Sequence, residues 1–271
     1  MIQRIRISTI EELLPLLSDQ EFNPELKRNR NSYVYRGMPD AAYNMETSIH
    51  RNCKDLQWKL EPAILKNFAK YAILEDAEIG QSVWRQMVLG QHHGLPTRLI
   101  DWTHSALIGL HFAVSTDDMT KIGKQDGVLW RIDMEELHTL IPEKYKAVLR
   151  KNNADIFSIN MMNEIMNSLE QYDLDMGESA MVVVEPSSID ARIVNQYSFF
   201  TIVPSGIENI EEFLDKNTNN TVQYIIDKDL CWRIVDMLDQ LNISERIIYP
   251  GLDGLSKWIA RHYFVKEDTF S

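Results

Sequence analysis

The stretch Gly94-Leu95-Pro96-Thr97-Arg98-Leu99-Ile100-Asp101-Trp102-Thr103 constrains this chain more than any other. Before it, Val83, Met87 and Val88 recur at helical spacing. Gly94 therefore reads as the left-handed cap that ends a helix, and Pro96 cannot continue one. Thr97 to Trp102 reads as a strand, and Thr103 or Ser105 caps a further helix running through Val114. In the strand Thr97, Leu99, Asp101 and Thr103 face one way, and Arg98, Ile100 and Trp102 the other. Capping rules account for Gly94, Asp101 and Thr103. They do not explain why His92, His93, Thr97 and Arg98 also crowd between two apolar helices.

Around this segment the pattern is mixed. Ser8-Thr9-Ile10-Glu11-Glu12 is a capping-box sequence that Pro15 interrupts, which predicts a helical extension over 1–30. Ser32 to Arg36 predicts a strand that Gly37 stops. Leu56, Leu60, Ile64, Phe68 and Tyr71 predict an amphipathic helix over 56–75. Residues 128–132, 181–184, 193–203 and 222–226 read as strands. Helices are expected where Met161, Met162, Ile165, Met166 and Leu169 recur, again at Leu230, Ile234, Leu238 and Leu241, and last at Leu255, Trp258, Ile259 and Tyr263. Strands and helices do not alternate regularly, so the expected class is α+β, with a helix-rich first half around a mixed, short-stranded sheet. No Gly/Ser/Pro-rich linker divides the chain. A single domain over 1–271 is the simpler reading, with a strand-helix-helix segment at 221–271 packed on the rest.

Composition excludes several classes of function. A net charge of −12 works against diffuse binding to nucleic acid or anionic membranes. No apolar run approaches the roughly 18 residues of a membrane span, and Met1 to Ile10 lacks the apolar core of a signal peptide. Cys53 and Cys231 have no CxxC or Cys/His spacing, which argues against zinc and a disulfide framework and for a reducing cytoplasm. His92, His93, Asp101, His104 and His111 are close in sequence, but no HExxH or acidic cluster accompanies them, so no metal is expected.

Two further positions bear chemistry. Arg36 closes an apolar strand, which fixes the direction of its guanidinium, and Gly37 beside it removes a side chain that would crowd a ligand. Arginine suits a two-pronged grip on phosphate or carboxylate, and equally a structural ion pair in a turn. Asn195-Gln196 precedes the aromatic strand Ser198-Phe199-Phe200, where an amide can both donate to and accept from a ligand hydroxyl.

Taken in order, these segments resemble the FRG domain, named for a Phe/Tyr-Arg-Gly motif that stands here as Tyr35-Arg36-Gly37. The resemblance continues through Thr47-Ser48-Ile49-His50-Arg51, with Thr where Pro is usual. Its most specific part is Gln91 to Thr103 followed by Ala106 to Ala113. It runs on to Asn195-Gln196 and to Tyr249-Pro250-Gly251-Leu252-Asp253-Gly254-Leu255. A more distant resemblance is to ADP-ribosyltransferases, which carry an Arg at the end of a first strand that grips the phosphates of NAD. It implies an ADP-ribosyltransferase-like arrangement and a small nucleotide, NAD or ADP-ribose-like, as substrate. Arg36 would hold the pyrophosphate and Arg98 would assist. Tyr35, Gly37, His92, His93 and Thr97 would line the site. Thr103 and Asp101 would orient the ribose, and Gln196 would bind its hydroxyl.

Those enzymes place a Glu where Gln196 stands. Losing a charge-stabilising group costs on the order of 2–4 kcal/mol in the transition state. Three readings follow: ADP-ribosyl transfer to a macromolecular acceptor or NAD hydrolysis, with Asp101 and Gln196 catalytic; a non-catalytic module that senses a nucleotide or phospho-ligand; and a metal-dependent nuclease or phosphatase.

Overall fold

The computed structural model describes residues 1–18, 20–188 and 191–266. Its strands are β1 (Gln3–Ile7), β2 (Glu21–Asn23), β3 (Arg28–Arg30), β4 (Tyr33–Met38), β5 (Leu99–Thr103), β6 (Gly127–Asp133), β7 (Phe157–Ser158), β8 (Val182–Glu185), β9 (Ser198–Ile202) and β10 (Val222–Ile226). Among the described residues, eight strands form one sheet in the order β1-β10-β6-β4-β5-β9-β8-β7, and β2 and β3 form a separate hairpin. The two outer pairs are parallel and the rest antiparallel, a mixed sheet as the α+β reading requires.

The helices are α1 (Leu14–Ser18), α2 (Ser48–Cys53), α3 (Gln57–Ala72), α4 (Val83–His92), α5 (Ala106–Val114), α6 (Met134–Leu140), α7 (Glu143–Asn152), α8 (Ile159–Ile165), α9 (Leu169–Met176), α10 (Ala191–Asn195), α11 (Ile210–Asn217), α12 (Cys231–Gln240), α13 (Glu245–Ile248) and α14 (Leu252–His262). Among the described residues no helix is long and apolar enough to cross a membrane.

Strand alternation sorts the core. Val34, Ile100, Trp102, Trp130, Val183 and Phe199 point into a cluster on one face, closed by Leu137 of α6 and Phe213 of α11. The opposite face carries two clusters. Tyr35, Leu129 and Tyr224 meet α5 and α12 on one side. Leu99, Val182, Phe200 and Ile202 meet α4, α7, α8 and α9 on the other. The division falls between β4 and β5.

Ser105 caps α5 as expected, accepting from Ile108 N, and Ser82 does the same for α4, accepting from Arg85 N. Gly94 adopts the left-handed conformation expected of it, with φ +82°. Four expectations need correction. Among the described residues of 1–30 only 11–18 are helical, where Glu12 Oε2 accepts from Ser8 N and Thr9 N as a capping box does, while Gln3–Ile7 forms the edge strand beside β10. The expected helix around 161–169 breaks after α8: Met166 O accepts from the Trp84 indole at 2.8 Å, and Asn167 Oδ1 accepts from Val83 N at 2.7 Å. The strand expected over 193–203 begins only at Ser198. Residues 191–195 are helical, which lets Asn195 Nδ2 donate to Ile247 O at 2.7 Å. The 221–271 segment carries α12, α13 and α14 after its strand rather than two helices.

Candidate functional site

The site begins as a defect in the sheet. Among the described residues β4 and β5 pair only at Tyr35 opposite Thr103. One residue further the ladder would pair Arg36 with Trp102, and two further Gly37 with Asp101, but the strands have separated. Into that split Arg36 extends, and its Nη1 donates to the Asp101 main-chain oxygen at 2.9 Å and lies 3.5 Å from the Asp101 carboxylate. A cavity of about 330 Å³ opens there, lined by Tyr35, Arg36, Gly37, Gln91, Asp101, Trp102, Thr103, Phe112, Arg192, Gln196 and Ser198.

Burial sets the electrostatics. The Arg36 side chain is 20% exposed and its Nε is buried without a hydrogen-bond acceptor. Directly across on β6, Trp130 also has a buried indole N–H without an acceptor. Desolvation pulls the Arg36 pKa below the ordinary arginine value, Asp101 opposes that shift, and nearby Arg51 adds to it. The cation is thus held where it is under-compensated, and an added anion would lower its energy.

The Asp101 carboxylate is 54% exposed, and Gln91 Nε2 donates to it at 2.9 Å. Gln91 is itself fixed, since Thr97 Oγ1 donates to its Oε1 at 2.7 Å. An acceptor-only carboxylate is thereby aimed by a neutral amide and stays open to solvent. At the far wall Gln196 Nε2 donates to Ile248 O at 3.3 Å, tying this part of the cleft to α13.

The structure therefore brings Tyr35, Arg36, Gly37, Asp101, Thr103 and Gln196 to one cleft. Thr103 is buried, and its Oγ1 accepts from Ser105 N at 3.1 Å, so it serves mainly as a turn cap. Other expected residues lie elsewhere or have other tasks. Arg98 is 2% exposed and bound by Glu61, at 2.8 and 3.0 Å through its Nε, and by Asp173 at 2.5 Å. Burial by itself would lower its pKa, but those carboxylates outweigh burial and hold it above the ordinary value. It is a structural ion pair, not a ligand grip.

His92 and His93 face a separate groove beside Phe68 and Tyr71 of α3. Thr97 is fully buried beneath Gln91. The Tyr35 side chain belongs to the apolar cluster with Leu110 and Leu129. Gly37 lines the cleft, but the space of its missing side chain is not left for a ligand. A Cβ there would stand 2.3 Å from Ala113 N, because α5 packs directly onto the strand. Gln91, Phe112, Arg192 and Ser198 line the cleft without having been singled out. Gln91 stood at the head of the dense 91–103 run, but its role depends on where α4 ends relative to β5.

The histidines do not converge. His104 packs on Phe199, and His111 is buried beside Ser115. Among the described residues no group of three or more His, Cys, Asp or Glu side chains could hold a metal.

A family model described as the FRG domain matches residues 31–121. The chain carries an FRG domain. About a third of the chain is matched, and the matched part runs from β4 through α5, so it supplies Arg36, Gln91 and Asp101. The FRG domain thus contributes the split between β4 and β5. Arg192, Gln196 and Ser198 come from the chain beyond it. No curated protein and no solved structure matches the chain.

Proposed function

We propose that the cleft at Arg36 binds a nucleotide of the NAD or ADP-ribose kind, with a phosphate held by the guanidinium. The observation that carries this reading is the buried Arg36 Nε–H without an acceptor, in one cleft with the Asp101 carboxylate and the Gln196 amide. Guanidinium and phosphate match as a two-pronged donor and acceptor. An exposed carboxylate fixed by Gln91 is suited to accept hydrogen bonds from ribose hydroxyls.

The same groups support a reaction class, ADP-ribosyl transfer or NAD hydrolysis. The bond from ribose C1′ to the nicotinamide nitrogen would break, its electron pair leaving with nicotinamide. An oxygen of water or of a macromolecular acceptor would bond to C1′ and lose its proton. Asp101 is the carboxylate lining this cleft, so it would offset the positive charge on the ribose and receive that proton. Gln196 can hold a hydroxyl but contributes no charge. That neutrality, and its donation to Ile248 O, favour a second reading in which the nucleotide is bound and sensed without cleavage.

One experiment separates the two readings. NAD and ADP-ribose should raise the melting temperature of the wild type and leave that of Arg36→Ala unmoved. Release of nicotinamide from NAD, lost in Asp101→Asn, would establish cleavage; stabilisation with NAD recovered intact would establish sensing. If neither compound stabilises the wild type, the nucleotide reading is wrong.

A further inference from the structure

The following inference rests on the nucleotide reading of the Arg36 cleft and extends it. At about 330 Å³ that cleft lies at the lower limit of small-molecule sites, about 300–1,000 Å³. It does not end at its own wall. Arg192 lines it and also lines an outer cavity of about 850 Å³ with Tyr249, Pro250 and Lys257. Phe112 of the inner cleft meets the Tyr249 ring of the outer cavity edge to face at 6.5 Å. Against that ring stand two cations, the Arg192 guanidinium 5.3 Å and the Lys257 ammonium 5.2 Å from the Tyr249 ring centroid. Lys257 donates at 2.7 Å to Asp117, which lines the same outer cavity. Arg192, common to both cavities, and Lys257 are the cations of the outer wall, where they stand with the carboxylates of Asp117 and Asp253.

We propose that the outer cavity is the second half of the same site. It takes the far phosphate and nucleoside of a ligand whose near ribose and phosphate sit at Arg36. The substrate class is then a dinucleotide, not a mononucleotide or free phosphate. Arg36 and Arg192 flank the pyrophosphate, Lys257 stands beyond it, and Tyr249 supplies the aromatic wall for the far nucleoside.

Calorimetric titration of the full chain tests this, with ADP-ribose as the long probe and nicotinamide mononucleotide as the short one. Lys257 is exposed and lies outside the inner cleft, so the variant Lys257→Ala should fold as the wild type does. Its affinity for ADP-ribose should fall about tenfold or more, while its affinity for nicotinamide mononucleotide stays the same. Tyr249→Leu should weaken ADP-ribose alone in the same sense. An unchanged ADP-ribose affinity in both variants, with Arg36→Ala still abolishing it, would overturn the outer half and leave the inner site standing. Equal losses for the two probes would also overturn it. If the wild type binds neither probe, the Arg36 reading fails first and this inference falls with it.

Discussion

The Cβ that Gly37 lacks would stand 2.0 Å from the main-chain oxygen of Gly109. The glycine of the Tyr-Arg-Gly motif is thus a packing device that seats α5 on β4. Gly127 does the same for β6, where a Cβ would lie 2.1 Å from Ala113 O. Gly37→Ala should therefore cost about 3 kcal/mol or more, since backbone rather than a flexible side chain must move. Gly80→Ala, with nothing within 4 Å of the added atom, should stay within about 0.5 kcal/mol. Urea midpoints compare the two, and similar values would refute the packing role.

Arg98 and Glu61 form a buried pair, each 2% exposed. Removing one partner strands a charge, so Arg98→Met should destabilise by about 3–5 kcal/mol, and Arg98→Met/Glu61→Leu should recover much of that loss. If instead the single variant is stable and only ligand binding suffers, Arg98 acts at a site after all.

Arg36 predicts the opposite behaviour. Its guanidinium is desolvated and partly unpaired, so Arg36→Met should remain folded, within about 1 kcal/mol of the wild type. Any stabilisation by ADP-ribose should vanish. A variant that fails to fold would make Arg36 a structural residue.

Two buried histidines set a dependence on pH. His138 Nε2 accepts from Val183 N at 3.2 Å while Nδ1 faces Asp155 O at 2.9 Å, an arrangement only the neutral ring with a proton on Nδ1 satisfies. Burial lowers the pKa values of His138 and His111 from 6.5 to about 4. As pH falls below about 6.5 the unfolded chain takes up protons that the folded one refuses, so stability is lost down to about pH 4, on the order of 3 kcal/mol for each ring. His138→Gln keeps a donor and an acceptor without titrating, and should remove roughly half of the drop in unfolding free energy between pH 7 and 5. A wild type equally stable at both pH values would contradict this.

The local grammar of the chain was legible from its residues. Gly94 ends α4, Ser105 starts α5, and the apolar run of 128–132 marks a central strand, because capping and local propensity act within a few residues. The same local logic put Arg36 and Asp101 at the ends of strands and so among the site residues. What it could not decide is which polar side chains meet. Arg98 and Asp101 are three residues apart, yet one is sealed against Glu61 and Asp173 while the other opens on the cleft. Gln3–Ile7 is a strand only because β10, more than two hundred residues later, supplies its partner. Gly37 looked like room for a ligand and is filled by the backbone of α5. Such outcomes depend on long-range pairing and burial, which no window of the sequence contains. The split between β4 and β5 that makes the site exists only once the whole sheet is assembled.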